Sequence, residues 1–280
     1  MNNLTRYAFL LLALSAPAAV LSAPQSPISV DLRMDEIDYV VGERIRGVID
    51  VKNMSPETVS VGRATSKDRL FVEVFRASDM LELERTTTKP FVAPFRVDMN
   101  EGQKLEVLLA DHFALREPRR YLARPVLVHG NLRYEGQYRA FDIVPGLHVA
   151  NALQMFSNRA GLNREFELVR WARKGREHLF LSATDSGAST RQWRTTDVGV
   201  MMKITKPTLS ILPNGEVIVL HRSGPEHFIR SEFWSLPDAL EFHTREQVQD
   251  PETAGQSRVQ EMYDKAGGVK AAERPWWKFW

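Results

Sequence analysis

Apolar and polar residues alternate along much of the first half of the chain, and this period of two predicts short β-strands. Ile28–Met34 and Gly47–Asn53 alternate in this way, whereas Leu70–Phe75 is nearly continuous in apolar residues, as in a central strand buried on both faces. Turn residues separate these segments at regular intervals, so that seven or eight strands fit into about 120 residues. The pattern predicts a β-sandwich over residues 23–146.

The spacing changes beyond the predicted sandwich. Leu147, Ala150, Leu153 and Phe156 recur at intervals of three residues, which favours one face of a short helix. We therefore expect a helical linker over residues 147–163, between two β-domains.

Strand patterns resume in the second half of the chain. Lys174-Gly175 separates two apolar runs and predicts a hairpin, and Asn214-Gly215 is the strongest short hairpin signal in the chain. Phe228–Trp234 is the last predicted strand, and Pro237 follows its end. These features predict a second antiparallel β-domain over residues 164–250, so the predicted fold class of the chain is all-β.

The N-terminal segment has the organisation of a secretory signal peptide. Arg6 supplies a positive charge, and the apolar run Tyr7–Leu14 follows it directly. This run is too short to span a hydrocarbon layer of about 30 Å, and small residues come after it. We expect cleavage before Ala23, with cleavage before Pro24 as the second choice. Residues 1–22 are thus predicted to be removed, and the protein is predicted to be periplasmic or extracellular.

Composition narrows the possible functions. The chain is 43% hydrophobic and 26% charged, as in ordinary globular proteins, and no later stretch is apolar enough to predict a transmembrane helix. Lys and Arg exceed Asp and Glu by two, or by one without Arg6, which predicts no general attraction to nucleic acid. The chain contains no cysteine, which excludes disulfides, thiol catalysis, cysteine-type zinc sites and iron–sulfur clusters.

Two segments of the first half resemble bacterial immunoglobulin-like domains. Tyr39–Ser55, with a turn at Gly42, is similar to the first hairpin of such domains. Leu115–Val126 is similar to the turn and strand that carry the tyrosine corner, and the resemblance implies that the Tyr121 hydroxyl bonds to the backbone of the preceding loop. The likeness is to cysteine-free secreted modules, and it concerns fold rather than chemistry.

Two parts of the second half resemble a loose internal repeat with a period of about 37 residues, close to that of propeller blades. His178–Leu181 aligns with Glu216–Val219 in this repeat. The turn Asp185–Gly187, with Trp193 after it, is also similar to the aspartate-box turn of sialidase-type propellers, although Ala183 replaces the expected small hydroxyl residue. Because two blades cannot close a ring, a blade-like double sheet and another compact β-domain both stay open.

Catalytic signatures are missing from the sequence. None of the seven histidines lies in a zinc-protease motif, and the chain has no nucleophile elbow, phosphate-binding glycine loop or dinucleotide fingerprint. His221 and His227 flank the turn Ser223–Pro225, where Glu226 or Glu232 could join them around a metal ion. The alternative is that both lie on a hairpin rim, and we predict no metal site, no cofactor and no catalytic residue.

The composition shifts again near the C-terminus. Residues 251–280 are predicted to form a flexible tail that ends in a Trp-rich hexamer. Its aromatic side chains are the candidate binding residues of the chain: Trp276, Trp277, Phe279 and Trp280. Three interpretations stay open, since the hexamer could cover a groove of its own domain, anchor a partner protein or lie at a membrane interface.

These patterns favour a non-enzymatic binding or interaction protein of the cell envelope. Its expected partner is a protein or glycan of the envelope, with peripheral membrane contact through the tail and no nucleic acid. The alternative is a secreted glycan-processing hydrolase with an immunoglobulin-like accessory domain, which rests on the repeat and on the turn at Asp185. Fold alone does not decide between them.

Overall fold

The computed structural model describes residues 26–62, 67–157, 159, 161–187 and 190–248. β-Strands and the loops that join them make up these residues, with a single 3-10 turn at Leu109–Asp111 as the one helical element in the described ranges. None of the described segments contains a helix long and apolar enough to cross a membrane. The predicted all-β fold class is confirmed, whereas the predicted signal peptide and aromatic tail lie outside the described residues.

The first β-unit contains two main sheets and one small one. β1, β3 and β7 form an antiparallel sheet, β2, β10, β8 and β5 form the second with β9 beside β8, and β4 pairs with β6. The strands are β1 (Ile28–Met34), β2 (Asp38–Val40), β3 (Arg46–Asn53), β4 (Val59–Val61), β5 (Arg69–Arg76), β6 (Phe95–Val97), β7 (Glu101–Leu108), β8 (Arg119–His129), β9 (Leu132–Glu135) and β10 (Arg139–Val144).

Alternation along the strands builds the core of this unit. In the β1–β3 pair, Val30 lies opposite Val51 and Leu32 lies opposite Ile49, and all four side chains are buried. They belong to one hydrophobic cluster with residues of the other main sheet, including Phe141. The first half is therefore a β-sandwich, as its period of two predicted.

The segment predicted to be the first hairpin has a different topology. β2 pairs in parallel with β10 in the second sheet, while β3 pairs with β1 in the first. Tyr39 stabilises this crossing, because its hydroxyl donates to the Arg46 carbonyl at 2.9 Å and its ring meets Phe141 edge-on. The Tyr121 hydroxyl donates to the Glu117 carbonyl at 3.2 Å, which is the bond that the resemblance implied.

β5 lies at one end of its sheet, whereas its apolar run predicted a central strand. Its outer face is covered by side chains, since the guanidinium groups of Arg124 and Arg133 lie 5.8 and 5.7 Å from the ring centres of Phe75 and Phe71. The same arginines donate to Glu73 at 2.8 and 2.6 Å. Burial acts to raise the pKa of Glu73, but the two arginines outweigh it and lower the pKa.

The second β-unit also consists of two antiparallel sheets. β11, β12, β13 and β14 form one sheet with β15 beside β13, and β16 to β19 form the other in chain order. The strands are β11 (Leu147–Met155), β12 (Asn163–Arg173), β13 (Arg176–Ser186), β14 (Arg191–Gln192), β15 (Thr196–Val200), β16 (Thr208–Ile211), β17 (Glu216–Arg222), β18 (Phe228–Leu236) and β19 (Ala239–Val248).

Buried residues of both sheets share one core in this unit. Phe166 and Leu181 come from the first sheet, and Val219 and Phe233 come from the second. The hairpins predicted at Lys174-Gly175 and Asn214-Gly215 join β12 to β13 and β16 to β17, so both predictions are confirmed.

The helix predicted over residues 147–163 is wrong, because Leu147–Met155 is a strand paired with β12. A β-bulge between His148 and Ala150 inserts one residue and shifts the alternation. The shift produces the interval of three between Leu147 and Ala150. Leu153, which seemed to continue a helical face, is 60% exposed on the strand.

The structure also contains strands that the sequence did not predict, namely β4, β6, β14 and the longer β19. Pro237-Asp238 is a turn that leads from β18 into β19, and the domain continues to Val248. β19 lies at the end of its sheet and is mostly exposed, with Phe242 exposed by 49%. Because neither face of β19 is fully buried, its sequence lacks the alternation that reveals the other strands.

Candidate functional site

The aromatic side chains predicted to bind a partner, Trp276, Trp277, Phe279 and Trp280, lie outside the described residues. Their role stays a prediction. The two candidate metal ligands are described, and they occupy different environments.

His221 is buried on β17, with 2% of its surface exposed, and its Nε2 lies 3.2 Å from the Val200 carbonyl oxygen. Burial lowers the pKa of His221 to about 4, so the ring is neutral near pH 7 and donates from Nε2. His227 is exposed in the turn before β18. Nowhere in the described ranges do three His, Cys, Asp or Glu side chains form a group suited to a metal ion.

The two β-units meet at the turn that begins with Val41 and Gly42. The Thr195 amide donates to the Gly42 carbonyl at 2.9 Å, and the Thr195 hydroxyl donates to the Val41 carbonyl at 2.6 Å. Gly42 has a φ of +83°, and a Cβ at this position would lie 2.7 Å from Thr195 Oγ1. Both the left-handed backbone and the close approach therefore require glycine here.

Ion pairs form a second layer of the contact between the units. Arg173 donates to the two carboxylate oxygens of Glu43 at 3.0 and 2.7 Å, and also to the Asp38 carbonyl at 3.0 Å. The Arg173 and Glu43 side chains are only 9% and 13% exposed. Lys174 Nζ lies 2.7 Å from Glu36 Oε1 in a more exposed pair. The two-pronged geometry of the Arg173–Glu43 pair favours one relative orientation of the units.

An apolar layer completes the contact. Only Pro145 and Gly146 separate β10 from β11, so the chain passes directly from one unit into the other. The cluster contains side chains of both units: Val40, Val144, Val169, Trp171 and Phe180. Hydrogen bonds, ion pairs and apolar packing thus all hold the two units together.

A cleft of about 320 Å³ lies beside this contact. Its walls come from the Gly42 turn, from the loop around residues 110–116 and from Gln192–Arg194. Three arginine side chains line it: Arg44 and Arg116 from the first unit and Arg194 from the second. The cleft therefore exists only because the two units are docked.

Positive charge dominates the cleft. Arg44 and Arg116 are exposed, and neither has an ion-pair partner in the part of the chain that the structure describes. Arg194 Nη2 lies 3.6 Å from Asp111 Oδ1, beyond hydrogen-bonding distance, and both side chains are about half exposed. Partial burial, and then the neighbouring Arg44, lower the pKa of Arg194.

Trp193 also lines the cleft. The guanidinium groups of Arg164 and Arg191 lie 4.4 and 3.7 Å from the centre of its ring. Its Nε1 is buried with no hydrogen-bond partner among the described residues. Arg164 is fully buried and donates to Asp185 at 2.6 and 3.1 Å, so the carboxylate of the aspartate-box likeness is engaged inside the second unit.

The sequence did not reveal this cleft. Arg44 and Arg194 are 150 positions apart in the chain, and isolated exposed arginines occur on every solvated surface. The one local signal was the turn at Gly42, which the sequence marks as a turn and not as a docking point. Only the pairing of the two units brings these side chains together.

Comparison with known proteins gives no assignment. No protein-family model matches the chain, and no curated protein sequence matches it significantly. The function therefore has to be argued from the geometry and charge of the cleft.

Proposed function

We propose that this chain is an exported, non-enzymatic binding protein of the bacterial cell envelope and that it recognises its partner in the cleft between its two β-units. The observation that carries the proposal is the convergence of Arg44, Arg116 and Arg194 from both units on one cavity of about 320 Å³. Binding sites occur preferentially at such boundaries between structural units.

Preorganisation supports the same conclusion. The Gly42–Thr195 contact and the Arg173–Glu43 pair hold the walls in place without a ligand. A site whose walls are already fixed loses less conformational entropy when it binds, so a small cleft can bind with useful affinity.

The proposed fold family of the first unit is immunoglobulin-like. Its two main sheets pack as a sandwich, and the Tyr121 hydroxyl makes the bond of a tyrosine corner. The blade-like interpretation of the second unit stays a prediction. Export through residues 1–22 is likewise part of the proposal and supplies the envelope location.

The hydrolase alternative gains no specific observation. Glycoside hydrolysis by the common mechanisms needs two carboxyl groups that flank the bond to be cleaved. Two carboxylates line the cleft, and Glu43 is engaged by Arg173. Asp111 is left as the other cleft carboxylate, next to Arg194.

Site-specific photo-crosslinking tests where the partner binds. A photoreactive amino acid replaces Ala114, which is exposed and lines the cleft, or Glu106, which is exposed on β7 and does not line the cleft. We expect a discrete crosslinked product in the envelope of the native bacterium from position 114 and none from position 106.

The same experiment separates the cleft from the aromatic tail. Both labelled proteins are also made without residues 275–280. Crosslinking from position 114 that survives this deletion supports recognition by the cleft. Equal products from both positions, or no product from position 114, would contradict the proposal. Loss only in the truncated protein would assign recognition to Trp276, Trp277, Phe279 and Trp280 instead.

A further inference from the structure

The charges that line the cleft are poorly balanced. Arg44 and Arg116 have no ion-pair partner among the described residues, and Arg194 is 3.6 Å from its nearest carboxylate oxygen. Of the two acidic residues on the walls, Glu43 is already neutralised by Arg173. Three guanidinium groups therefore face one carboxylate, that of Asp111.

Like charges held close together raise the energy of the empty site. Arg44 lies close enough to Arg194 to lower its pKa, after the effect of partial burial. Arg44 and Arg194 cannot move apart freely, because the Gly42–Thr195 contact fixes the segments that carry them. An anion between the guanidinium groups would remove this repulsion.

The geometry points to an oxyanion site: we infer that the cleft binds a ligand with a phosphate or carboxylate group through Arg44, Arg116 and Arg194. Planar guanidinium groups suit such oxygens, because they donate two parallel hydrogen bonds. The inference rests on the proposed function for the position of the site, and it adds the chemical class of the ligand.

The volume of the cleft and the arginine stacked on Trp193 narrow the chemical class of the ligand further. A volume of about 320 Å³ is at the lower end of the range for small-molecule sites, so it suits a single sugar-sized unit. Arg191 lies 3.7 Å from the centre of the Trp193 ring, so charge recognition is more available here than stacking of a ligand on that ring. We infer a small acidic group, free or at the end of a larger envelope molecule.

Calorimetric titration of the full chain from Ala23 tests the inference. The probes are inorganic phosphate, glucose 1-phosphate, glucuronate and neutral glucose. We expect saturable binding of phosphate or of at least one charged sugar, weaker binding at higher salt, and no binding of glucose. Tighter binding of a charged sugar than of phosphate would show that the ligand is an acidic glycan unit rather than the free anion.

Charge-matched variants locate the site. Arg194→Gln should weaken binding of the best probe by about tenfold, the loss expected for one charged hydrogen bond. Arg33→Gln removes the same charge from an exposed position on β1 and should change the affinity by less than about twofold. Equal losses in the two variants would mean that only net charge attracts the anion, and would overturn the inference.

Asp111→Asn should strengthen binding of the anion, whereas Arg194→Gln should weaken it. It removes the carboxylate that competes for Arg194, so affinity for the anion should rise by about threefold. A variant that merely damaged the fold would weaken binding, so a gain cannot come from misfolding.

The outcomes for the ligand class and for the proposed function are separable. If no charged probe binds while crosslinking from position 114 persists, the oxyanion inference is overturned and the cleft recognises a neutral partner. If the probes bind and Arg194→Gln weakens their binding about tenfold but no crosslink forms, the anion site stands and the partner-binding proposal falls.

Discussion

Two histidines that are only six positions apart in the chain differ in their burial. His221 is enclosed on β17 and has a pKa of about 4, whereas His227 is exposed in the following turn. An unfolded histidine has a pKa near 6.5, so below that pH the unfolded chain takes up a proton that folded His221 does not. Stability should therefore fall as the pH decreases from about 6.5 towards 4, and the slope has this sign because the unfolded state binds more protons.

His221→Gln tests this dependence. Between pH 7 and pH 5 the wild-type free energy of unfolding should fall by about 2 kcal/mol more than that of the variant, because glutamine does not titrate. Urea unfolding at a series of pH values measures the difference. Burial and then Arg85 also lower the pKa of His112, but His112 contributes equally to both proteins.

His227→Gln is the matched control for the same substitution. It should keep the wild-type dependence on pH, because it leaves the buried His221 unchanged. Parallel curves for all three proteins would show that His221 is not held neutral by burial.

At the scale of elements, Arg164 connects β12 to β13 and to the turn between β18 and β19. Besides its bonds to Asp185, it donates to the Ser235 hydroxyl at 2.8 Å and to the carbonyls of Leu236 and Ala239 at 2.9 and 3.1 Å. A guanidinium has five N–H donors, and this arrangement satisfies them inside the protein. The two sheets of the second unit are thus joined by one buried charge in addition to their apolar core.

Asp185→Ala should destabilise the second unit by about 3 to 5 kcal/mol, because it leaves the Arg164 charge buried without its counter-ion. Asp238→Ala is the control, since Asp238 pairs with Arg159 on the surface, where the two side chains are 74% and 52% exposed. That change should cost less than about 1 kcal/mol. Chemical denaturation followed by tryptophan fluorescence measures both, and equal costs would contradict a stabilising role for the buried pair.

Most strands could be predicted from the sequence, because burial on one face imposes alternation. Val30 and Leu32 on β1 show this directly, and Asn214-Gly215 marks its hairpin without help from tertiary contacts. The failures have specific causes: the bulge after His148 imitates a helical interval, and β19 lacks a fully buried face. The apolar run of β5 was misleading because arginine side chains cover its outer face, and no local pattern predicts such cover.

At the scale of the molecule, one glycine permits the close backbone contact at the junction between the units. Gly42→Ala should destabilise the protein by about 2 kcal/mol more than Gly175→Ala. Both glycines have a positive φ, so both changes carry the same backbone penalty, but only at position 42 would the new Cβ meet another atom within 4 Å. Urea unfolding followed by circular dichroism gives the two costs, and equal costs would mean that the Thr195 contact is loose.

The cleft could not be predicted from the sequence, because it depends on how the two units dock. Its arginines come from segments that contact each other only after both units have folded and docked. Exposed arginines carry no local signal of their neighbours, because an exposed side chain imposes no pattern on the residues around it. The sequence could indicate two β-units and a boundary between them, but the charged site depends on how Gly42 meets Thr195.

Both units contribute arginines to the cleft, so only the intact molecule has the complete site. A break in the short connection at Pro145-Gly146 would leave each half with its own hydrophobic cluster, while Arg44 and Arg116 would stay on one fragment and Arg194 on the other. Neither fragment alone would present the complete set of guanidinium groups. A ligand that needs all three guanidinium groups would stabilise the complex of the two fragments. The fragments could therefore serve as the parts of a split sensor.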